Sequence, residues 1–101
     1  MNNQQEKTLL PSAVRVQLKK LSHHLKPVVQ IGKKGVTDGT IREIEVALMA
    51  HELIKVQLSK ETSESDLALI LEKTGSSHID TIGKIVILFK KRKVETSDLN
   101  E

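Results

Sequence analysis

With 101 residues, 38% of them hydrophobic and 29% charged, the chain has the size and balance of one globular domain rather than of a disordered segment. It has no cysteine, which excludes disulfides and thiolate metal sites and fits a reducing cytoplasm, and no apolar run approaches the roughly 20 residues of a membrane span. The net charge of +3 is unevenly spread: seven basic residues, Lys7, Arg15, Lys19, Lys20, Lys26, Lys33 and Lys34, precede Thr37 after Glu6 with no acidic residue among them.

Residues 1–8 are polar, lack the apolar core of a signal peptide, and are expected to be disordered. Pro11 and Ser12 open a helix, on which Val14, Leu18, Leu21 and Leu25 recur at helical spacing as one apolar stripe. Arg15, Lys19 and Lys20 fall off that stripe and are expected to face water or a partner. His23 and His24 are adjacent, so on a helix they point about 100° apart and do not share a metal ion.

Lys26-Pro27 ends the helix and starts a short buried strand, Val28 to Ile31. The strand ends at Gly32, passes through Lys33 and Lys34 to Gly35, and meets a helix start at Thr37. Glycines allow close approach of another backbone, the lysines supply charge, and a helix start adds unpaired N–H groups and a positive dipole end. Such a loop suits phosphate, although a Gly-x-x-Gly joining strand to helix also serves as a plain tight connection. It has neither the spacing of a nucleotide-binding P-loop nor that of a dinucleotide fold.

Thr37 caps the second helix, Asp38 sits in its positive first turn, and Val36 with Ile41 forms a hydrophobic staple. Ile41, Ile44, Ala47 and Leu48 form its inward stripe. His51-Glu52-Leu53-Ile54-Lys55 lacks the second histidine of a zinc-protease helix. Residues 53–58 read as a strand, with Ile54, Val56 and Leu58 on one face and Lys55 on the other. Ser63 to Asp66 caps a third helix with Leu67, Ile70, Leu71 and Thr74 inward, and Gly75 stops it. Strands at 78–82 and 85–91 close the chain around Gly83-Lys84, a type II′ hairpin turn. Residues 85–89 are apolar throughout, which places that strand centrally or under cover on both faces. Lys90, Lys91, Arg92 and Lys93 form a basic cluster at its end, and residues 94–101 read as a flexible tail. The order αβαβαββ predicts an α/β two-layer sandwich with three helices and a four-stranded mixed sheet.

The runs Leu25-Lys26-Pro27-Val28-Val29, Gly32-x-x-Gly35-Val36-Thr37-x-Gly39 and Glu43-Ile44-Glu45-x-Ala47-Leu48 resemble the CRM-domain family. His51 to Val56, Thr74-Gly75 and Ile82-Gly83-Lys84 continue the match in the same order. The similarity spans residues 9–93, and the chain looks like a bacterial stand-alone, YhbY-like member. The resemblance implies a fold similar to the C-terminal domain of translation initiation factor three, with a loop like that of KH domains at Gly32, Lys33, Lys34 and Gly35. In a KH domain that loop joins two helices, whereas here it joins a strand to a helix. The resemblance also implies RNA binding. Its bacterial single-domain members associate with precursors of the large ribosomal subunit, and its plant members act in organellar intron splicing.

The expected mechanism is recognition of RNA backbone by Gly32, Lys33, Lys34, Gly35 and Thr37. Lys19, Lys20, Lys90, Lys91, Arg92 and Lys93 extend the positive surface. Phe89 is the sole aromatic residue and sits in an apolar run, so stacking of several bases is not available. Structured RNA and single strands both stay open as ligands. No spacing of Ser, His or carboxylates demands a shared catalytic site, so the expectation is no enzyme, no cofactor and no metal. The alternative is an adaptor that docks on a ribosomal protein or assembly factor. A monomer suffices for either.

Overall fold

Strand and helix periodicities sort the apolar residues onto faces, and the faces determine the layers. In the computed structural model, which describes residues 10–92, the elements in order are α1 (Ser12–Leu21), β1 (Pro27–Gln30), α2 (Asp38–His51), β2 (Leu53–Gln57), α3 (Glu64–Thr74), β3 (Ser77–Ile82) and β4 (Ile85–Phe89). The expectations for residues 1–8, Lys93 and residues 94–101 lie outside the described residues. The sheet order is β1-β2-β4-β3, with β1 parallel to β2 and the other pairs antiparallel. This is the expected four-stranded mixed sheet.

β4 is central, and Val86, Ile87 and Leu88 on it are fully buried. In its pairing with β2, Ile54 lies opposite Leu88 and Val56 opposite Val86. These four side chains share one face with Val29 and Ile31, and Ile44 and Leu48 of α2 and Ile70 of α3 close the core over them. Sheet, α2 and α3 form the expected two-layer sandwich. The capping is also as expected, with one addition: Thr40 completes a box with Thr37, as Asp66 does with Ser63. Gly75 takes φ +69° at the end of α3, and Gly83 takes φ +62°, as the first residue of a type II′ turn must.

The opposite face of the sheet carries Lys55 and Ile87, which pair across β2 and β4, and Asp80, which pairs with Ile87. There α1 and the turn after it lie. Lys55 Nζ donates to Leu25 O at 3.1 Å, Lys19 pairs with Asp80 at 2.8 Å, and Arg15 donates to His78 O at 3.1 Å. Two sequence expectations change here. The helix ends at Leu21, so Leu25 does not continue its stripe, and Val14 and Leu21 are 40% and 59% exposed. Arg15 is half-buried and turns to the sheet, and Lys19, although exposed, is paired with Asp80. The reason is that α1 spans the sheet near the β3 edge, where long cationic side chains reach backbone and carboxylate partners that its short apolar side chains do not.

Burial, then the nearby Arg15 guanidinium, holds His78 below its ordinary pKa of 6.5 against the opposing pull of Asp80, and its Nε2 lies 2.7 Å from Thr81 Oγ1. Asp80 is held below its usual 3.8, first by its hydrogen bond from Lys19 and then by the Thr81 N–H. The folded state thus disfavours the proton on His78. Stability should be level above neutral pH and fall as pH drops below about 6.5 towards the lower folded value, with the Asp80 contribution lost only below its usual range. Urea midpoints against pH should show that first decline, and His78→Gln should remove it. Ile44→Ala should cost about 2–5 kcal/mol by leaving a cavity in the core. Val46→Ala, two residues on but 62% exposed, should stay within about 0.5 kcal/mol in the same titration.

Candidate nucleic-acid interface

Gly32 to Gly35 forms one closed turn. The Gly35 N–H donates to Gly32 O at 3.0 Å, and Gly35 takes φ +79°, a conformation that side chains disfavour. Lys33 and Lys34 occupy the two central positions and are exposed. Neither carries a hydrogen bond or ion pair among the described residues. Nothing lies within 4 Å of the position a Cβ would take at Gly32 or Gly35, so the outer side of the loop is open. Val36 and Ile41 are half-buried against the core and pin the loop's exit to α2.

Thr37 is committed to structure. Its Oγ1 accepts from the Thr40 N–H at 3.2 Å, and its own N–H donates to Thr40 Oγ1 at 3.3 Å. The Asp38 and Gly39 N–H groups have no partner among the described residues and lie at the positive end of α2. The Asp38 carboxylate works against an anion there, so the balance at the loop tip is two cations against one anion.

The remaining cations of the expected surface divide by location. Ile31 N–H donates to Gln57 O, and Leu58 N–H donates to Lys84 O, so the glycine loop, the end of β2 and the β3–β4 turn meet at one end of the sheet. Lys84 therefore joins Lys33 and Lys34 at that end, as does Lys60, in the turn that begins at Ser59. Neither of these lysines formed part of the surface expected from sequence. Each is isolated in the chain, and strand order alone assembles them.

Lys90, Lys91 and Arg92 lie at the opposite end. Lys90 N–H donates to Glu52 O, and Glu52 precedes β2, so the length of that strand, roughly 17 Å at about 3.3 Å per residue, separates them from the loop. Lys90 Nζ donates to Thr74 O at 2.9 Å and so caps α3. Arg92 Nε lies 3.8 Å from Glu52 Oε2, which also accepts the Arg92 N–H at 2.7 Å. Glu52 holds φ +65° and ψ −42°, costing about 1–3 kcal/mol, because it reverses the chain between α2 and β2 as a single residue. Lys20 is exposed on α1, whereas Lys19 is engaged by Asp80. Phe89 is half-buried at the end of β4. Among the described residues there is no group of three or more His, Asp or Glu side chains placed to hold a metal ion.

The CRS1/YhbY (CRM) domain family matches residues 10–90. A Haemophilus influenzae protein named as an RNA-binding protein is 41% identical over 86 residues, which cover 82% of this chain and 87% of that one. A Bacillus subtilis protein named as a probable RNA-binding protein is 42% identical over 79 residues, 75% of this chain and 82% of the other. The solution structure of a Staphylococcus aureus protein superposes with a TM-score of 0.67 at 26% identity, covering 88% of this chain and 96% of its own.

The division between structural and unpartnered lysines is measurable. Lys90→Met should lower unfolding free energy by about 1 kcal/mol, because it leaves the Thr74 carbonyl without its donor. Lys33→Met should leave it unchanged within about 0.5 kcal/mol in the same urea titration.

Proposed function

The chain belongs to the CRS1/YhbY (CRM) domain family, and on that premise we propose that it binds RNA through the sugar-phosphate backbone, at the end of the sheet where the glycine loop lies. The observation that carries this reading is the pair Lys33 and Lys34, held at the tip of a closed turn beside a helix start and with no partner of their own. Two unpaired cations at one tip, beside the positive end of a helix, raise the local potential that draws a phosphate. Gly32 and Gly35 let a phosphate approach the loop backbone, and the Asp38 and Gly39 N–H groups add donors. Lys60 and Lys84 widen the positive end. Lys20, Lys91 and Arg92, away from the loop, suit a long RNA that continues across the domain.

The ligand we propose is ribosomal RNA in precursors of the large subunit, with the protein acting in the cytoplasm as a monomeric assembly factor without catalysis. The protein names of the relatives support RNA as the partner. The lack of aromatic side chains around the loop supports a grip on backbone rather than on stacked bases. The adaptor reading draws on α1, where Val14, Val16 and Leu21 are exposed. An adaptor would keep its place after nuclease treatment of the complex and tolerate reversal of the loop charges.

Affinity should fall with salt at a log–log slope of about −0.7 per phosphate contacted on a single strand. Lys33→Asp/Lys34→Asp should flatten that slope by about 1.4 and leave the fold intact, since neither side chain supports it. On a low-salt sucrose gradient of cell extract, the parent should sediment with large-subunit precursors and the double variant should stay at the top. Comigration of both would favour the adaptor reading. A parent that stays at the top would end the ribosomal assignment.

A further inference from the structure

On the sheet face away from the core, α1 packs mainly on β3, and none of its own residues is buried. Between the end of α1 and the first residues of β1 and β2 lies a groove of about 420 Å³, lined by Leu21, Leu25, Val28 and Leu53. Val28 and Leu53 alternate with the buried Val29 and Ile54, so they stand on this outer face. Leu21 and Val28 are 59% and 53% exposed, two aliphatic side chains that the described residues leave largely uncovered. The rim of the groove is basic. Lys26 and His51 line it, Lys20 is exposed one residue before Leu21, and no carboxylate is among the lining residues. Glu52, the acidic neighbour in sequence, turns its carboxylate to the Arg92 N–H at 2.7 Å.

We propose that this groove docks an acidic amphipathic helix of a partner protein, whose aliphatic side chains lie against Leu21, Leu25, Val28 and Leu53 and whose carboxylates meet Lys20 and Lys26. An apolar floor with only basic groups at its rim is the complement of such a helix. RNA fits the floor less well, because the lining offers a base no aromatic face to stack on. A second copy of the chain also fits less well: a twofold pairing sets the same patch against itself, and so Lys20 and Lys26 against the same lysines. Leu53 opens β2, and the glycine loop lies past that strand's other end, so the length of β2, roughly 17 Å at about 3.3 Å per residue, keeps the two ligands apart. The groove therefore stands independently of the loop. It also differs from the adaptor reading, since protein and RNA are held at once by one domain.

The probe is a synthetic peptide of about 18 residues, five helical turns, with leucines at i, i+3, i+4 and i+7 and glutamates on the other face. Its control has the same residues in scrambled order. Dissociation constants for both peptides, and for an RNA of about 12 nucleotides, are measured on the full-length parent, Leu21→Asn, Val28→Thr and Lys33→Asp/Lys34→Asp. Leu21 and Val28 are exposed, so both groove substitutions spare the fold. The ordered peptide should bind the parent about tenfold tighter than the scrambled one. Leu21→Asn should lose about fivefold and Val28→Thr about threefold on that peptide, with RNA affinity unchanged in both. The loop variant should bind the peptide like the parent and lose RNA. Equal binding of the two peptides, or no loss in either groove variant, overturns the proposal. Displacement of the peptide by RNA assigns the groove to RNA and overturns it as well. So does a parent that sediments as a dimer and a Leu21→Asn variant that sediments as a monomer, which assigns the groove to a second copy. Tighter peptide binding by Glu95→Gln/Asp98→Gln would assign it to the chain's own acidic residues. A loop variant that keeps its RNA affinity removes the backbone reading and leaves the groove untouched.

Discussion

The packing of α2 onto the paired centre of the sheet is the contact from which the rest follows. Ile44 and Leu48 reach the Ile54–Leu88 and Val56–Val86 pairs, and all six are essentially excluded from water. Burial on this scale is the dominant favourable term in folding. It also holds the helix at one height along β1, so that the connection between them becomes a short turn at the strand's end. The glycine loop is placed by the core beneath it rather than by bonds of its own.

That placement separates two jobs that basic residues do in this chain. Lys19, Lys55 and Lys90 are tied to Asp80, to the Leu25 carbonyl and to the Thr74 carbonyl, and they hold α1, the turn after it and the end of α3. Lys33 and Lys34 hold nothing. A charge-assisted bond to a helix carbonyl or a carboxylate favours the folded state, and a cation so engaged is costlier to recruit for a ligand. A basic chain therefore presents a smaller free cationic surface than its composition suggests.

The two ends differ in how they are made. At the loop end, backbone freedom at Gly35 and a capped helix start leave donors open to the outside. At the far end, Glu52 adopts a strained conformation and spends its carbonyl and carboxylate on the backbone of Lys90 and Arg92. The strain is held because the N–H of Glu52 still closes α2 on Leu48 O at 2.8 Å, and its side chain anchors the strand that follows the core. The far end is thus fastened, and the loop end is free.

Much of this was legible in the chain itself. Apolar periodicity identified the seven elements, all to within a residue or two except the first helix, which ends four residues before Leu25; the capping residues Thr37 and Ser63 marked helix starts, and Gly75 and Gly83 marked positive-φ turns. These signals are local, because periodicity, capping and turn chemistry act over a few residues. The Gly32-Lys33-Lys34-Gly35 loop is contiguous, so it could be named before its surroundings were known. What only the tertiary structure decided is non-local. Strand order brought Lys60 and Lys84 to the loop and carried Lys90 to Arg92 away from it. Long-range partners 61 and 63 residues distant, Asp80 and His78, engage Lys19 and Arg15, which the helical pattern places off the apolar stripe. Side-chain identity says which residues carry charge, and only their burial and partners, which depend on the whole fold, say which charges are left to act.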